Sequence, residues 1–163
     1  MHLSSLTKAA APSLRIGTLT ARGPAAARLA AVRVVDDFVV ARPLQETAVE
    51  LLGAPAWPRH LARLSSALRS RRDALAAAVQ QHLEPRGVHP PVIPHGGLHL
   101  WVRLPDGTDD VDLTARARDH GIVIGAGRPY FVTEPPRPHL RLSYASMTED
   151  QFGPAVQRLS GLL

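Results

Sequence analysis

In the segment SSLTKAAAPSLRIG, residues 4–17, Lys8 follows two hydroxyl residues, Ser5 and Thr7, and Arg15 stands seven positions further on. Two readings are open to that spacing. Lys8 is either a solvated charge near a chain end, or an amine nucleophile with Ser5 and Arg15 as ligands for a phosphate. A nucleophilic lysine must spend time as the free amine, a state that cationic or desolvating neighbours favour. Arg15 would act in that direction while pairing with the phosphate. A guanidinium grips phosphate or carboxylate through two parallel bonds, which lysine cannot imitate. An isolated Ser-x-x-Lys with a downstream arginine arises easily by chance, so the spacing alone decides nothing. A second candidate is Arg141 in HLRLSYA (139–145), a strand-like stretch. A strand would hold it rigidly, as a carboxylate-orienting group requires. Taken alone, it also fits an ordinary exposed strand residue.

Other signals carry less chemistry. His95 and His99 in HGGLH are four apart, but Gly96 and Gly97 argue against a helix, so no metal site is expected. GAGRPY (125–130) lacks the third glycine of a dinucleotide fingerprint and opens no convincing helix. Asp36 and Asp37 read as a polar helix end rather than a catalytic pair, and Trp57 and Trp101 as packing anchors.

These residues need a scaffold, and 163 residues suffice for one domain with a real core, or a small domain with part of another. No apolar run is long enough to span a bilayer; the nearest, AAARLAAVRVV, is interrupted by Arg28 and Arg33. The first residues lack a basic start followed by an apolar stretch, so no secretory signal is read. Cysteine is absent, which excludes disulfides and thiolate metal sites and fits a reducing cytoplasm. A cytoplasmic protein without membrane contact is expected. The formal charge of +5 invites a nucleic-acid reading. The basic residues are spread, however, and the one cluster, RSRRD (69–73), lies in a helical pattern as a solvated face would. No direct nucleic-acid binding is expected.

The element pattern begins with strand-like LRIGTLTA (14–21), ended by Arg22-Gly23-Pro24. Pro24 suits a first helical position and opens an alanine-rich helix toward Val39. A second helix runs from Pro43 to Leu52. The clearest spans about 58–83, with Leu61, Leu64, Leu68, Leu75, Val79 and Leu83 on one face. VHPPVI (88–93) can be only an edge or irregular strand because of its prolines. GGLHLWVRLP (96–105) reads as a strand with Leu98, Leu100, Val102 and Leu104 on one face. DDVDLTARARDHG is a short helix closed by Gly121, IVIGA a short strand, and HLRLSYA a strand. Residues 127–139 form a long proline-rich loop, either an active-site rim or a disordered stretch. Thr148 and Gln151 form a capping-box signature for the last helix, in which Pro154 predicts a kink or a separate first turn. The order predicts an α/β fold, a sheet of a few strands with helices on one side.

Taken in order, SSLTKAAAPSLRIG, GGLHLWVRLP and HLRLSYA resemble the C-terminal part of fold-type I, pyridoxal-phosphate-dependent aminotransferases of class I/II. Within that group the closest resemblance is to the branch containing the effector domains of MocR-type transcription regulators. The helix PRHLARLSSALRSRRDALAAAV resembles the long helix leading into that family's small domain, so the similarity covers essentially the whole chain. The resemblance implies a small C-terminal domain over residues 54–163, with a short mixed or antiparallel sheet and helices on one side. Residues 1–53 would be a remnant of the large cofactor-binding domain. It implies that Lys8 forms the internal aldimine with pyridoxal 5'-phosphate, and that Ser5 and Arg15 bind the cofactor phosphate. Arg141 would hold the α-carboxylate of an amino acid or 2-oxo acid substrate. Thr7 stands where the family often has serine. A homodimer is the family's usual state.

The resemblance also implies that other groups of the pocket belong to residues ahead of Met1: the ring-stacking aromatic, the carboxylate facing the pyridine nitrogen, and the helix N-terminus that cradles the phosphate. Seven residues before Lys8 leave no strand leading into it, and the first twenty or so are expected to be weakly anchored. Little or no transamination is expected of the 163 residues alone. Three functions stay open: the C-terminal piece of an aminotransferase, the effector-binding domain of a regulator, or a non-catalytic interaction domain. The reading frame upstream discriminates among them, because only a regulator would encode a winged helix there.

Overall fold

The computed structural model describes all residues except 37–40 and 135. The chain divides into two units, Met1–Leu64 and Ser65–Leu163, and the division falls inside one long helix.

The first unit starts with a strand that sequence patterning does not reveal. β1 (His2–Ser5) pairs antiparallel with β2 (Gly17–Thr20), in a register that sets His2 opposite Thr20 and Ser5 opposite Gly17. The expectation of no strand ahead of Lys8 is therefore corrected. Every residue of both strands is exposed, so the ladder rests on backbone hydrogen bonds and no apolar alternation announces it. One helical turn, α1 (Leu6–Ala9), follows β1, and a 3-10 turn at Pro12–Leu14 leads back to β2. Leu6, Leu14 and Ile16 are buried with Ala48, and Leu44, Leu51 and Trp57 pack against them. The segment expected to be loose thus has three buried anchors. α2 (Pro24–Asp36) starts at proline as predicted, since the missing N–H is unneeded in a first turn. The remainder of that predicted helix, with Asp37, lies outside the described residues. α3 (Arg42–Gly53) matches the helix predicted from Pro43 and turns Ala48 into the small core.

α4 (Trp57–His82) bears out the long helix at 58–83. Its apolar stripe is used unevenly: Leu75 and Val79 are buried, Leu68 is partly buried, and Leu61 is exposed. The arginine cluster is not simply a solvated face. Arg71 donates to the Ala145 carbonyl at 3.1 Å and Arg72 to the Pro94 carbonyl at 2.9 Å, each bond tying a loop of the second unit to the helix.

The second unit is built on a three-stranded antiparallel sheet in the order β3 (His99–Arg103), β5 (His139–Ser143), β4 (Gly125–Ala126). Alternation gives the sheet two unlike faces. Leu100 and Val102 of β3, and Leu140 and Leu142 of β5, join one buried cluster with Leu75 and Val79 of α4. Leu113 and Ala117 of α5 (Asp110–Asp119), with Phe152, Val156 and Leu159 of α6 (Glu149–Ser160), complete it. The helices therefore cover one face, as the pattern predicted. The other face carries Trp101, Arg103, His139 and Arg141.

Several edges differ from expectation. VHPPVI forms no strand; only His89 donates across, to the Arg103 carbonyl at 3.1 Å, because its prolines have no N–H to give. Only Gly125 and Ala126 of IVIGA pair with β5, while Ile122 turns into the core. α6 runs as one helix through Pro154 rather than breaking into two. The predicted capping box is present, with the Thr148 N–H donating to Gln151 Oε1 at 3.0 Å. α5 is capped by Asp109, whose Oδ1 accepts from Val111 N at 2.9 Å and Asp112 N at 3.0 Å. The backbone N–H groups of Asp112 and Val111 hold the Asp109 carboxyl below the usual aspartate range. No described helix is long and apolar enough to cross a membrane.

Candidate functional site

Ser5 ends β1 with an extended backbone (φ −136°, ψ 124°), and the chain passes directly into α1. Burial of Leu6 turns Lys8, two positions on, to the opposite side of this single turn, where it is exposed. The chain then reverses through Pro12–Leu14 into Arg15, whose φ of 47° and ψ of 29° are left-handed. Arg15 is the only non-glycine residue with positive φ among the described residues. That conformation costs an L-residue about 1–2 kcal/mol. It holds because Leu14 and Ile16 on either side are both buried, so neither can rotate to relieve it.

The reversal brings the candidate residues together. Leu6 N donates to the Ile16 carbonyl at 3.0 Å, Ser5 lies opposite Gly17, and α1 packs against the Pro12–Leu14 turn. The backbone positions of Ser5, Lys8 and Arg15 thereby lie near one end of the β1–β2 ladder. Arg15 also lines a groove of about 670 Å³ with Ser4, Gly17 and Thr18 from the ladder and Leu29 from α2. A hydroxyl, an amine and a guanidinium at one chain reversal offer an anion a donor, a charge and a planar fork. Arg15→Gly is expected to keep or raise folding stability, by up to about 1 kcal/mol, because glycine adopts the left-handed backbone freely. The same change should weaken phosphate binding. Urea unfolding together with titration of pyridoxal phosphate would read both effects.

Arg141 belongs to the second unit, at the centre of β5, with Trp101 of β3 and Gly125 of β4 directly opposite. On this open face its guanidinium carbon lies 4.6 Å from the centre of the Tyr130 ring, a cation–π arrangement. Arg141 Nε is buried and has no hydrogen-bond partner among the described residues. Arg71 Nε and Arg103 Nε share this state, so what sets Arg141 apart is its place beside Tyr130 and Trp101 on the open face. Around it stands an aromatic cluster that sequence reading missed. Trp101 stacks on His139 (5.1 Å, 17° between planes) and meets the edge of Tyr130 (5.9 Å, 89°) and the tilted ring of Phe131 (5.8 Å). Trp101 is 38% exposed, so it anchors this cluster rather than the core. That Trp101 and Arg141 both lie off the apolar face was deducible from the two alternating strands; their direct pairing follows from the register. Tyr130 and Phe131 lie in an irregular loop, where no periodicity points to them.

The loop start fits tightly against β5. A Cβ on Gly127 would stand 2.6 Å from His139 Cβ and 2.7 Å from its carbonyl oxygen. Gly127→Ala is therefore expected to cost about 1–3 kcal/mol, measured by denaturant unfolding, and to disturb the Trp101–His139 stack. No three His, Cys, Asp or Glu side chains gather as metal ligands among the described residues.

Residues 1–159 match the family profile described as Aminotransferase class I and II. The chain belongs to this family. It is 30% identical over its whole length to the HTH-type transcriptional regulator TauR of Rhodobacter capsulatus, covering 33% of that protein. It is 27% identical over its whole length to the 2-aminoadipate transaminase of Thermus thermophilus, covering 40% of it. Among solved structures, the α-aminoadipate aminotransferase LysN of Thermus thermophilus, complexed with N-(5'-phosphopyridoxyl)-L-leucine, superimposes with a TM-score of 0.85. That match has 27% identity and covers 99% of this chain and 41% of LysN. The class I/II fold read from the sequence is thus the fold of the chain, which spans about a third to two-fifths of these relatives.

Proposed function

We propose that this chain is the C-terminal part of a pyridoxal-phosphate-dependent amino acid aminotransferase, exchanging an amino group between an amino acid and a 2-oxo acid. The observation that supports the proposal is the chain reversal that brings the backbones of Ser5, Lys8 and Arg15 near one end of the ladder, with Arg15 in a left-handed backbone. The donor set fits the cofactor: a hydroxyl and a fork for its phosphate, and an exposed amine for its carbonyl. The unpartnered Arg141 Nε fits a substrate carboxylate in the same way.

Pyridoxal phosphate, when bound, supplies a carbonyl that condenses with amines and a ring that withdraws electrons. The chain's own residues do the rest. Ser5 Oγ and the Arg15 guanidinium hold the phosphate, and the ladder behind them fixes its position relative to Lys8. Lys8 Nζ is the covalent attachment point and, as a free amine, a base able to take a proton from the amino acid's Cα and return it. Arg141 takes the α-carboxylate bidentately, and its strand keeps the fork from wandering. On this reading residues 1–53 belong to the cofactor-binding domain and 54–163 to the small domain of a cytoplasmic protein that works as a homodimer.

The ring-stacking aromatic and the carboxylate for the pyridine nitrogen are assigned to the part of the relatives' length that this chain does not span. The 163 residues alone should therefore give little or no turnover. The test supplies purified chain with pyridoxal phosphate and an amino acid and measures 2-oxo acid. Amino-acid-dependent turnover by the chain alone would contradict this division of the site.

A second reading is favoured by the relation to TauR, a transcriptional regulator by name. In it the same residues bind cofactor and ligand as an effector switch, without turnover. A winged-helix segment encoded ahead of Met1 selects this reading; a catalytic half alone selects the enzyme.

A further inference from the structure

Asp110 is the one charged residue buried among the described residues, at 2% exposure, and its own helix does not use it. Asp109 already caps α5. The Asp110 carboxylate instead reaches the start of the aromatic loop. Its Oδ2 accepts from Gly127 N at 2.8 Å and Arg128 N at 2.9 Å, and its Oδ1 lies 3.8 Å from Arg128 Nε. Gly127 N is shared with the His139 carbonyl at 2.8 Å, so the same group ties the loop to β5. From there the chain makes a 3-10 turn in which Tyr130 N donates to the Gly127 carbonyl at 2.9 Å. That turn lays Tyr130 over the Arg141 guanidinium and against Trp101.

We infer that Asp110 is a positioning residue for Arg141: it fixes the Gly127–Tyr130 turn, and the turn holds Tyr130 on the guanidinium in the orientation that receives a substrate carboxylate. The inference rests on the reading of Arg141 as the carboxylate partner. An arginine side chain has many rotamers, and fixing the fork before the ligand arrives removes an ordering cost from binding. One buried carboxylate oxygen with two backbone donors is a stiff joint, because moving the loop would strand a buried charge. Tyr130 itself is 53% exposed, so the joint rather than core packing keeps it in place.

The test uses the chain with Trp57→Phe, which leaves Trp101 as the only tryptophan. Without ligand, Asp110→Ala should raise acrylamide quenching of Trp101, because Tyr130 and Phe131 leave its ring. Asp110→Asn, which keeps an oxygen for both N–H groups, should not. Pyruvate titration followed by Trp101 emission should show binding that is lost in Arg141→Lys, weakened about tenfold by Asp110→Ala, and close to wild type in Asp110→Asn. Tyr130→Ala should weaken binding as much as Asp110→Ala, and the double variant no further. A merely structural Asp110 would lower the unfolding midpoint and leave these ratios alone. Should Asp110→Ala fail to fold, Tyr130→Ala still decides, and wild-type affinity there overturns the inference. An Arg141-dependent response that Asp110→Ala leaves unchanged overturns the positioning role alone. No response, or one independent of Arg141, overturns the reading of Arg141 and the inference with it.

Discussion

Protein carrying Lys8→Arg is expected to keep its fold and positive charge and to lose covalent capture of pyridoxal phosphate at position 8 completely, leaving only the terminal amine to react. Arginine stays protonated at any working pH and offers no free amine, so charge without nucleophilicity is what the substitution preserves. Lys8 is exposed at the end of a single helical turn whose anchor is Leu6, so the exchange removes no core contact. Lys8→Ala should fail in the same way. Partial rescue of Lys8→Ala turnover by a small primary amine, measured in protein that carries the whole site, would separate lost chemistry from a damaged fold. One sequence feature sharpens this experiment: Lys8 is the only lysine among the 19 Lys and Arg residues. Apart from the terminal amine, no other primary amine in the chain competes.

Arg141→Lys carries the second large effect. Lysine keeps the charge and surrenders the planar fork, and with it the guanidinium contact 4.6 Å from the centre of the Tyr130 ring. Hydrogen bonds to charged groups contribute about 1.5–3 kcal/mol each, so losing one should weaken a 2-oxo acid about 10- to 150-fold. The loss should fall on carboxylate affinity and spare cofactor capture, because phosphate and carboxylate are assigned to different arginines. Calorimetric titration of a 2-oxo acid, alongside cofactor labelling, would show that split. Equal losses in both would mean that Arg141 supports the fold rather than the ligand.

Much of the scaffold was legible in the sequence. The leucine stripe of α4 and the alternation in β3 and β5 are periodic over enough residues to be read directly, and both faces of the second unit's sheet follow from them. β1 was not legible, because HLSS has no buried face and owes its strand to pairing with β2. IVIGA was read as a short strand and only its last two residues pair, since an apolar run looks alike whether it feeds a ladder or, as Ile122 does, the core. In the site, Lys8, Ser5, Arg15 and Arg141 came from motif order and not from spacing alone. The strained backbone of Arg15 and the joint from Asp110 to Tyr130 depend on long-range contacts, which leave no local pattern. The excess of arginine over lysine, by contrast, singles out Lys8 without any structure.

The most direct test of the central claim treats the chain with limiting pyridoxal phosphate at neutral pH, reduces it with borohydride, and maps the label by peptide mass. An ordinary terminal α-amine holds far more free base at neutral pH than an ordinary lysine, so without a built site the label should favour Met1. Label is expected on Lys8 in preference to Met1, and that preference should be lost in Arg15→Ala. Label confined to Met1, or a Lys8 adduct indifferent to Arg15, would contradict the claim.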